Sequence, residues 1–199
     1  VDMVKTAEKQ VRLQKTYFQS LVNNMPDAVV SFDGQGRIET VNKGFETMYG
    51  YSKDEALNQN ISDLVAPPDR HEEAHDIRQR ISRGEIVNVE TVRCRKNRET
   101  FDVSLRSAPI MFGEENQMLG HLVIYRDITE RKLAEAAIRE SEERLKAILD
   151  TVQAGIVIVD PENHVILDAN PAALRMIGAD REKVVGSVCH RFICPAEQG

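Results

Sequence analysis

The sequence predicts an α+β fold: a five-stranded antiparallel sheet with helices on one face, flanked by coiled-coil-type helices and followed by a shortened copy of the same opening. Three observations predict it. A strand, turn, strand and capped-helix pattern near the N-terminus returns about 127 residues later, period-two strand signals complete the first copy alone, and apolar residues at heptad spacing border that copy on both sides.

Residues 21–50 and 148–178 share one order of features, with Asp33 and Asp160 standing 127 apart and Asn42 and Asn170 standing 128 apart. Each copy has an apolar run, 28–32 or 155–159, then a turn at Asp33 and Gly34 or at Asp160 and Pro161, then a second run, 38–41 or 165–167. Such a pattern is a two-stranded hairpin. Asn42 and Asn170 follow as helix N-caps, residues whose side-chain oxygen accepts from the orphan N–H groups of a first turn. Pro171 suits the first helical position, where its missing N–H costs nothing. Phe45, Met48 and Tyr49 form the apolar face of one helix and Ala173, Met176 and Ile177 that of the other; Gly50 and Gly178 stand where a left-handed cap ends them.

Beyond this opening, Ile77 and Ile81 recur four apart among polar neighbours, which predicts a helix over 67–83 ended by Gly84. Val87 and Val89 lead a strand to Arg95, and Lys96, Asn97 and Arg98 turn it. Phe101, Val103 and Leu105 alternate with Asp102, Ser104 and Arg106 on the return, and after a second turn at 113–116 the run 122–125 closes the sheet. The second copy, 148–199, has no counterpart of the last three strands. With an open sheet edge, it is expected to be disordered, swapped or propped by a neighbour.

With 199 residues, 41% of them hydrophobic, the chain can bury a core in one or two domains. The net charge of −6, with Lys and Arg scattered among acids, excludes a nucleic-acid partner, which demands a basic face. No run approaches the roughly 20 apolar residues of a membrane helix, so no membrane insertion is expected. Three cysteines cannot form a disulfide framework, and a reducing, cytoplasmic setting fits them. A first residue that is Val and a stop at Gly199 read as a segment of a longer protein.

Residues 21–130 resemble a PAS domain, the module found in tandem in the sensor regions of bacterial signal-transduction proteins such as sensor histidine kinases. The resemblance rests on the Asn42-capped helix, the basic hairpin from Arg93 to Phe101, and the closing Arg126, Asp127, Ile128 and Thr129 followed by Glu130, Arg131 and Lys132. Asn97 and Arg98 stand where relatives usually carry Asp and Gly, a departure that bears on the turn type. Residues 148–199 resemble the opening half of a second PAS domain. The organisation expected is an N-terminal linker and dimerisation helix over 1–24, a complete PAS domain over 25–130, a signalling helix over 131–150 and the N-terminal half of another PAS domain over 151–199. Asp127, three residues before Glu130, also has the spacing of a capping-box-like helix start.

Val4, Val11 and Phe18 recur every seven residues before the first copy, and Ile138, Leu145 and Val152 do so between the copies. Both runs fit a coiled coil and equally an amphipathic helix packed on its own domain. Between the copies the many Glu and Arg residues around the stripe favour the coiled coil, hence a parallel homodimer. The resemblance then implies a sensory and signal-relay module: a ligand- or redox-induced change in the sheet passes through Asp127 and Thr129 into the helix and on to an output domain outside the chain, a histidine kinase or a cyclic-di-nucleotide enzyme. The alternatives are an interaction scaffold without a small ligand and a metal or redox sensor.

No phosphate-cradling glycine loop, H-E-x-x-H or serine elbow is present, so the segment is not expected to be an enzyme itself. Glu72, Glu73, Asp76, Glu142 and Glu143 read as solvated helix faces. Some PAS modules hold haem through a helix histidine; His71 and His75 flank the corresponding position, eleven before Gly84, but that position is Glu73. Haem and flavin are therefore disfavoured in the first copy, the cofactor is left open, and Cys94 reads as a small hydrophobe. Cys189, His190 and Cys194 are candidate metal ligands that would need a further donor, against buried structural cysteines or a redox-active thiol pair.

Overall fold

The computed structural model describes residues 2–33, 35–112 and 117–193. They fall into two compact units, residues 1–133 and 134–199. The first opens with α1 (Asp2–Asn23) and the hairpin β1 (Ala28–Phe32) and β2 (Ile38–Val41). Four helices follow: α2 (Lys43–Tyr49), α3 (Lys53–Ala56), α4 (Ile61–Val65) and α5 (His71–Ser82). Then come β3 (Asn88–Cys94), β4 (Thr100–Phe112) and β5 (Gln117–Asp127), and finally the start of α6 (Thr129–Thr151).

The strands form one antiparallel five-stranded sheet in the order β2-β1-β5-β4-β3. The first strand is therefore flanked on both sides, by β2 and by the central β5, and all five of its residues are buried. Its register against β5 runs from Ala28↔Tyr125 to Phe32↔His121, which brings the start of β1 beside the end of β5. One face carries Val30, Phe32, Val103, Leu105, Val123 and Tyr125 into a core completed by Phe45 and Tyr49 of α2, Val65 of α4 and Ile77 and Ile81 of α5. Burying a side chain of this size contributes about 1.5–3 kcal/mol, so the period-two and i, i+4 patterns together account for the layering.

Several elements differ from the sequence reading. Two short helices, α3 and α4, were not expected between the hairpin and α5. The first carries a complete capping box, Ser52 with Glu55, and the second is capped by Asn60, whose side chain accepts from Ser62 N–H. Expected as one helix over 67–83, the next segment is a 3-10 turn at Pro68–Arg70 followed by α5, the two separated where Arg70 leaves helical geometry at φ −118, ψ 12. Strands β4 and β5 run well beyond the expected residues; the turn placed at 113–116 falls outside the described residues.

Backbone geometry explains two local choices. A Cβ at Gly44 would sit 2.3 Å from the Asp27 carbonyl oxygen, so only glycine lets α2 approach the loop before β1 this closely. In the β3–β4 turn Arg98 adopts φ +70, the left-handed position of a three-residue hairpin loop, with Asn97 Oδ1 accepting from Glu99 N–H at 3.0 Å.

The second unit contains most of α6, then β6 (Val157–Val159), β7 (Ile166–Ala169), α7 (Pro171–Ile177) and α8 (Arg181–Val184). Beside the expectation of a half-copy that is disordered, swapped or propped by a neighbour stands a core within the described residues themselves. Ile166, Ala169, Ala173 and Val184 form a core of its own, and the backbone after α8 returns along β7, with Ile166 N–H donating to Ser187 O and Gly186 N–H to Ile166 O, both at 2.8 Å. Folding back in this way gives one strand edge its hydrogen-bond partners. Among the described residues no helix is long and apolar enough to cross a membrane.

A left-handed conformation costs an L-residue roughly 1–2 kcal/mol, whereas glycine loses about 0.5–1 kcal/mol of chain entropy. Arg98→Gly is therefore expected to raise stability by about 0.5–1 kcal/mol, measured by urea unfolding; an unchanged or lowered midpoint would contradict this account of the turn.

Candidate functional site

Two places in the first unit concentrate polar chemistry: the junction where α6 leaves the sheet, and the core beneath α5. Both depend on how the chain enters. Asn42 is 3% exposed and uses its whole amide. Its Oδ1 accepts from Phe45 N–H at 2.9 Å, capping α2, and from Val29 N–H at 2.8 Å, while Nδ2 donates to Val22 O at 2.9 Å and Asp27 O at 3.0 Å. Asn170 repeats the arrangement in the second unit, accepting from Ala173 and Ile156 N–H and donating to Leu149 O and Ala154 O, both at 3.0 Å. Asn42 thus joins the end of α1, β1 and α2, and Asn170 joins the end of α6, the residue before β6 and α7.

At the exit, Asp127 Oδ1 accepts from Thr129 N–H at 3.0 Å and Oδ2 from Arg95 Nη2 at 2.9 Å. The capping-box-like pairing of Asp127 with Glu130 is therefore replaced. Helix α6 starts at Thr129, one residue too late for that spacing, and the second carboxylate oxygen is taken by Arg95. Burial raises the Asp127 pKa, but hydrogen bonding from Thr129 and then Arg95 outweighs it and holds the carboxyl below its ordinary value. Arg95 also donates from Nη1 to the Met48 carbonyl at the end of α2 and stacks 3.8 Å from the centroid of Phe101. The first turn of α6 is held further by Arg131 Nη2 on Glu90 Oε1 at 2.6 Å, Lys132 Nζ on Asp102 Oδ1 at 2.8 Å and Ile128 N–H on Asp102 O at 3.0 Å. The neighbouring Arg126 reaches back to Asp27 through Nη2 at 2.7 Å and Nε at 3.1 Å.

In the core, Arg93 is 2% exposed. Its Nη1 donates to Thr91 Oγ1 at 2.9 Å and to Val92 O at 2.8 Å, and lies 3.7 Å from Glu73 Oε1. Thr91 Oγ1 donates to Glu73 Oε1, and Arg70 Nη1 binds the other oxygen, Oε2, at 3.0 Å. Glu73, read from sequence as a solvated carboxylate, is corrected: it bridges an inner and an outer arginine. A cavity of about 20 Å³, the size of one water, adjoins Arg93, Tyr125, Phe32 and Ile77. Burial pushes the Tyr125 pKa up to about 12 and Tyr49 well above the phenol range; the Tyr49 hydroxyl and both ring nitrogens of His121 have no hydrogen-bond partner among the described residues.

The remaining sequence candidates lie elsewhere. His71 and His75 are exposed on α5, and His75 is bonded at 2.8 Å to Arg78 and to Gln79. Cys94 is buried. Cys189, half-buried against the second unit's core, and His190 share a 3-10 turn, whereas Cys194 lies outside the described residues. No group of three metal-ligating side chains is placed to hold an ion among the described residues, and the two donors Cys189 and His190 fall short of a four-coordinate centre. Sequence reasoning passed over Arg95, Arg93, Thr91 and His121. Strand parity was the available signal, because Val87 and Val89 face inward and Thr91 and Arg93 continue the same alternation.

A PAS domain family model matches residues 26–130, more than half of the chain. The chain belongs to the PAS domain family. A second PAS domain model matches residues 143–198. Sensor protein FixL of Bradyrhizobium diazoefficiens is 28% identical over 149 residues, 73% of this chain and 29% of that protein, and sporulation kinase E of Bacillus subtilis is 23% identical over 90% of this chain and 23% of that protein. The chain thus spans about a quarter of the length of these curated relatives. The crystal structure of a PAS domain from Colwellia psychrerythraea aligns with TM-score 0.51 at 32% identity, covering 59% of this chain and 98% of the other. In the PAS sheet described above, α6 is the helix that follows the last strand.

His121, 1% exposed, lies 5.7 Å from the Phe32 ring, and burial lowers its pKa. Folding therefore favours the neutral ring. Its contribution is whole above the unfolded-state pKa of about 6.5 and is lost as pH falls through the lower folded value. His121→Leu should flatten the loss of stability between pH 7 and 5 and, by removing two unsatisfied nitrogens, raise stability at pH 8 by about 1 kcal/mol or more. Urea midpoints at the two pH values check both effects; a slope equal to that of the unsubstituted chain would contradict them.

Proposed function

We propose that this chain is a sensory and signal-relay segment of a multidomain receptor, passing a ligand- or redox-induced change in the first PAS unit through α6 to an output domain outside the chain. The observation that carries the reading is the Arg95–Asp127 contact. One guanidinium holds the end of α2, a core ring and the start of α6, so a displacement of core or helix changes the geometry at the first turn of α6. Asp127 and Thr129 are the relay residues, with Arg95 as their partner in the sheet. The names of the two relatives, a sensor protein and a kinase, support a kinase as the output, with catalysis outside these residues. The working division is a dimerisation helix over 1–24, a PAS domain over 25–130, a signalling helix over 131–150 and a second PAS unit over 151–199. Acidic surface and few cysteines support a cytoplasmic setting.

A homodimer through the helices belongs to the same reading. Val11, Phe18 and Leu21 on α1 and Ile138, Leu145 and Ile148 on α6 are 45–64% exposed, and a second copy would cover them. The same exposed apolar stripes favour a second reading, an interaction scaffold without a small ligand.

A receptor containing this chain with Asp127→Ala should keep the sheet's hydrogen-exchange protection but lose regulation of its output; output that still follows the stimulus would remove this junction as the relay. Leu145→Glu should convert the chain from dimer to monomer in analytical ultracentrifugation, and a monomeric starting protein would overturn the dimer.

A further inference from the structure

Arg93 is a cation buried in the first unit's core, and the carboxylate beside it comes from a residue that is only partly inside. Glu73 has a side chain 31% exposed, against 2% for Arg93. Its two oxygens are divided between the interior, where Thr91 and Arg93 lie, and the surface, where Arg70 holds Oε2 at 3.0 Å. A carboxylate with a cation on each side has a second resting place ready, since turning outward keeps the Arg70 pair. What it would leave behind is a guanidinium in low dielectric, which requires another anion. Arg93 also lines the 20 Å³ cavity. Tyr49 adds an independent sign of a missing partner: its hydroxyl is buried without a hydrogen bond among the described residues, and its ring stands edge-on 5.6 Å from that of Tyr125, which lines the same cavity as Arg93.

We propose that the core beneath α5 is a binding site for a small monocarboxylate, which takes the place of the Glu73 carboxylate on Arg93 and accepts from the Tyr49 hydroxyl, so that Glu73 is an internal plug of its own sensor site. The space vacated by one carboxylate plus a water-sized void limits the ligand to about two or three carbons. Apolar walls from Phe32, Ile61 and Ile77 suit its methyl end. Displacing Glu73 releases α5 from β3, because the Glu73 contacts with Thr91 and Arg93 join that helix to the strand. This inference rests on the first unit being a sensor, but binding is read on the chain alone and regulation only in the receptor, so either can fail without the other.

The probe is sodium acetate against sodium chloride at matched ionic strength and pH 7, read by the thermal midpoint, titration calorimetry and hydrogen exchange. In the unsubstituted chain acetate should raise the midpoint saturably, chloride should not, and exchange should quicken in 71–82. Glu73→Ala, which removes the competitor, should tighten acetate binding by about tenfold, the penalty of an occluded state populated in most molecules. Tyr49→Phe should weaken it roughly fivefold by deleting one hydrogen bond. Arg93→Met should abolish it, and if that variant does not fold, the Glu73 and Tyr49 variants still decide. Equal effects of acetate and chloride on the unsubstituted chain overturn the site. Acetate binding to Glu73→Ala alone overturns the displacement.

Discussion

A buried carboxamide governs both units. Asn42 and Asn170 each have to satisfy two acceptor lone pairs and two donor hydrogens out of water, and each does so with backbone groups from a helix end, a strand or the residue before it, and a following helix. An aspartate could reproduce the acceptors but not the donors, and a serine could not span the distance. The amide therefore fixes three chain directions at one point. The glycine at position 44, pressed against the Asp27 carbonyl, allows that convergence sterically.

The exit is held differently, by many weak contacts. Ion pairs such as Arg131 with Glu90 and Lys132 with Asp102 are partly exposed, and each contributes little alone. Their effect lies in geometry: several cation–anion pairs and one backbone bond place the first turn of α6 on β3 and β4, and Arg95 ties that turn to the far end of α2. A junction of this kind can be shifted by modest forces, unlike the carboxamide clamp at the entrance. One end of the unit is anchored and the other is adjustable.

Much of this was legible before the structure. Periodicity located the hairpins, α2, α5 and the inward faces of β3 and β4, because burial imposes spacing on apolar residues. Asn42 and Asn170 were read as caps, but their bonds to Val22 and Leu149 depend on tertiary proximity that no local pattern carries. The short helices α3 and α4 lie in a stretch too brief for a periodic signal, and only the spacing of Ser52 and Glu55, a capping box in the structure, offers a local cue that the sequence analysis does not use. Arg93 and Glu73 carry no local signal of burial. A charged residue usually reports solvent, and only strand parity on one side and the helix face on the other bring these two together inside the core.

The pairing of Ala28 with Tyr125 has a consequence for how such chains grow. Entry to the first strand and departure from its neighbour at the centre of the sheet lie side by side, so the polypeptide spends about a hundred residues on a detour and resumes almost where it left off. Gene segments encoding whole units could then be duplicated or deleted like beads on a thread, without rebuilding the sheet that remains.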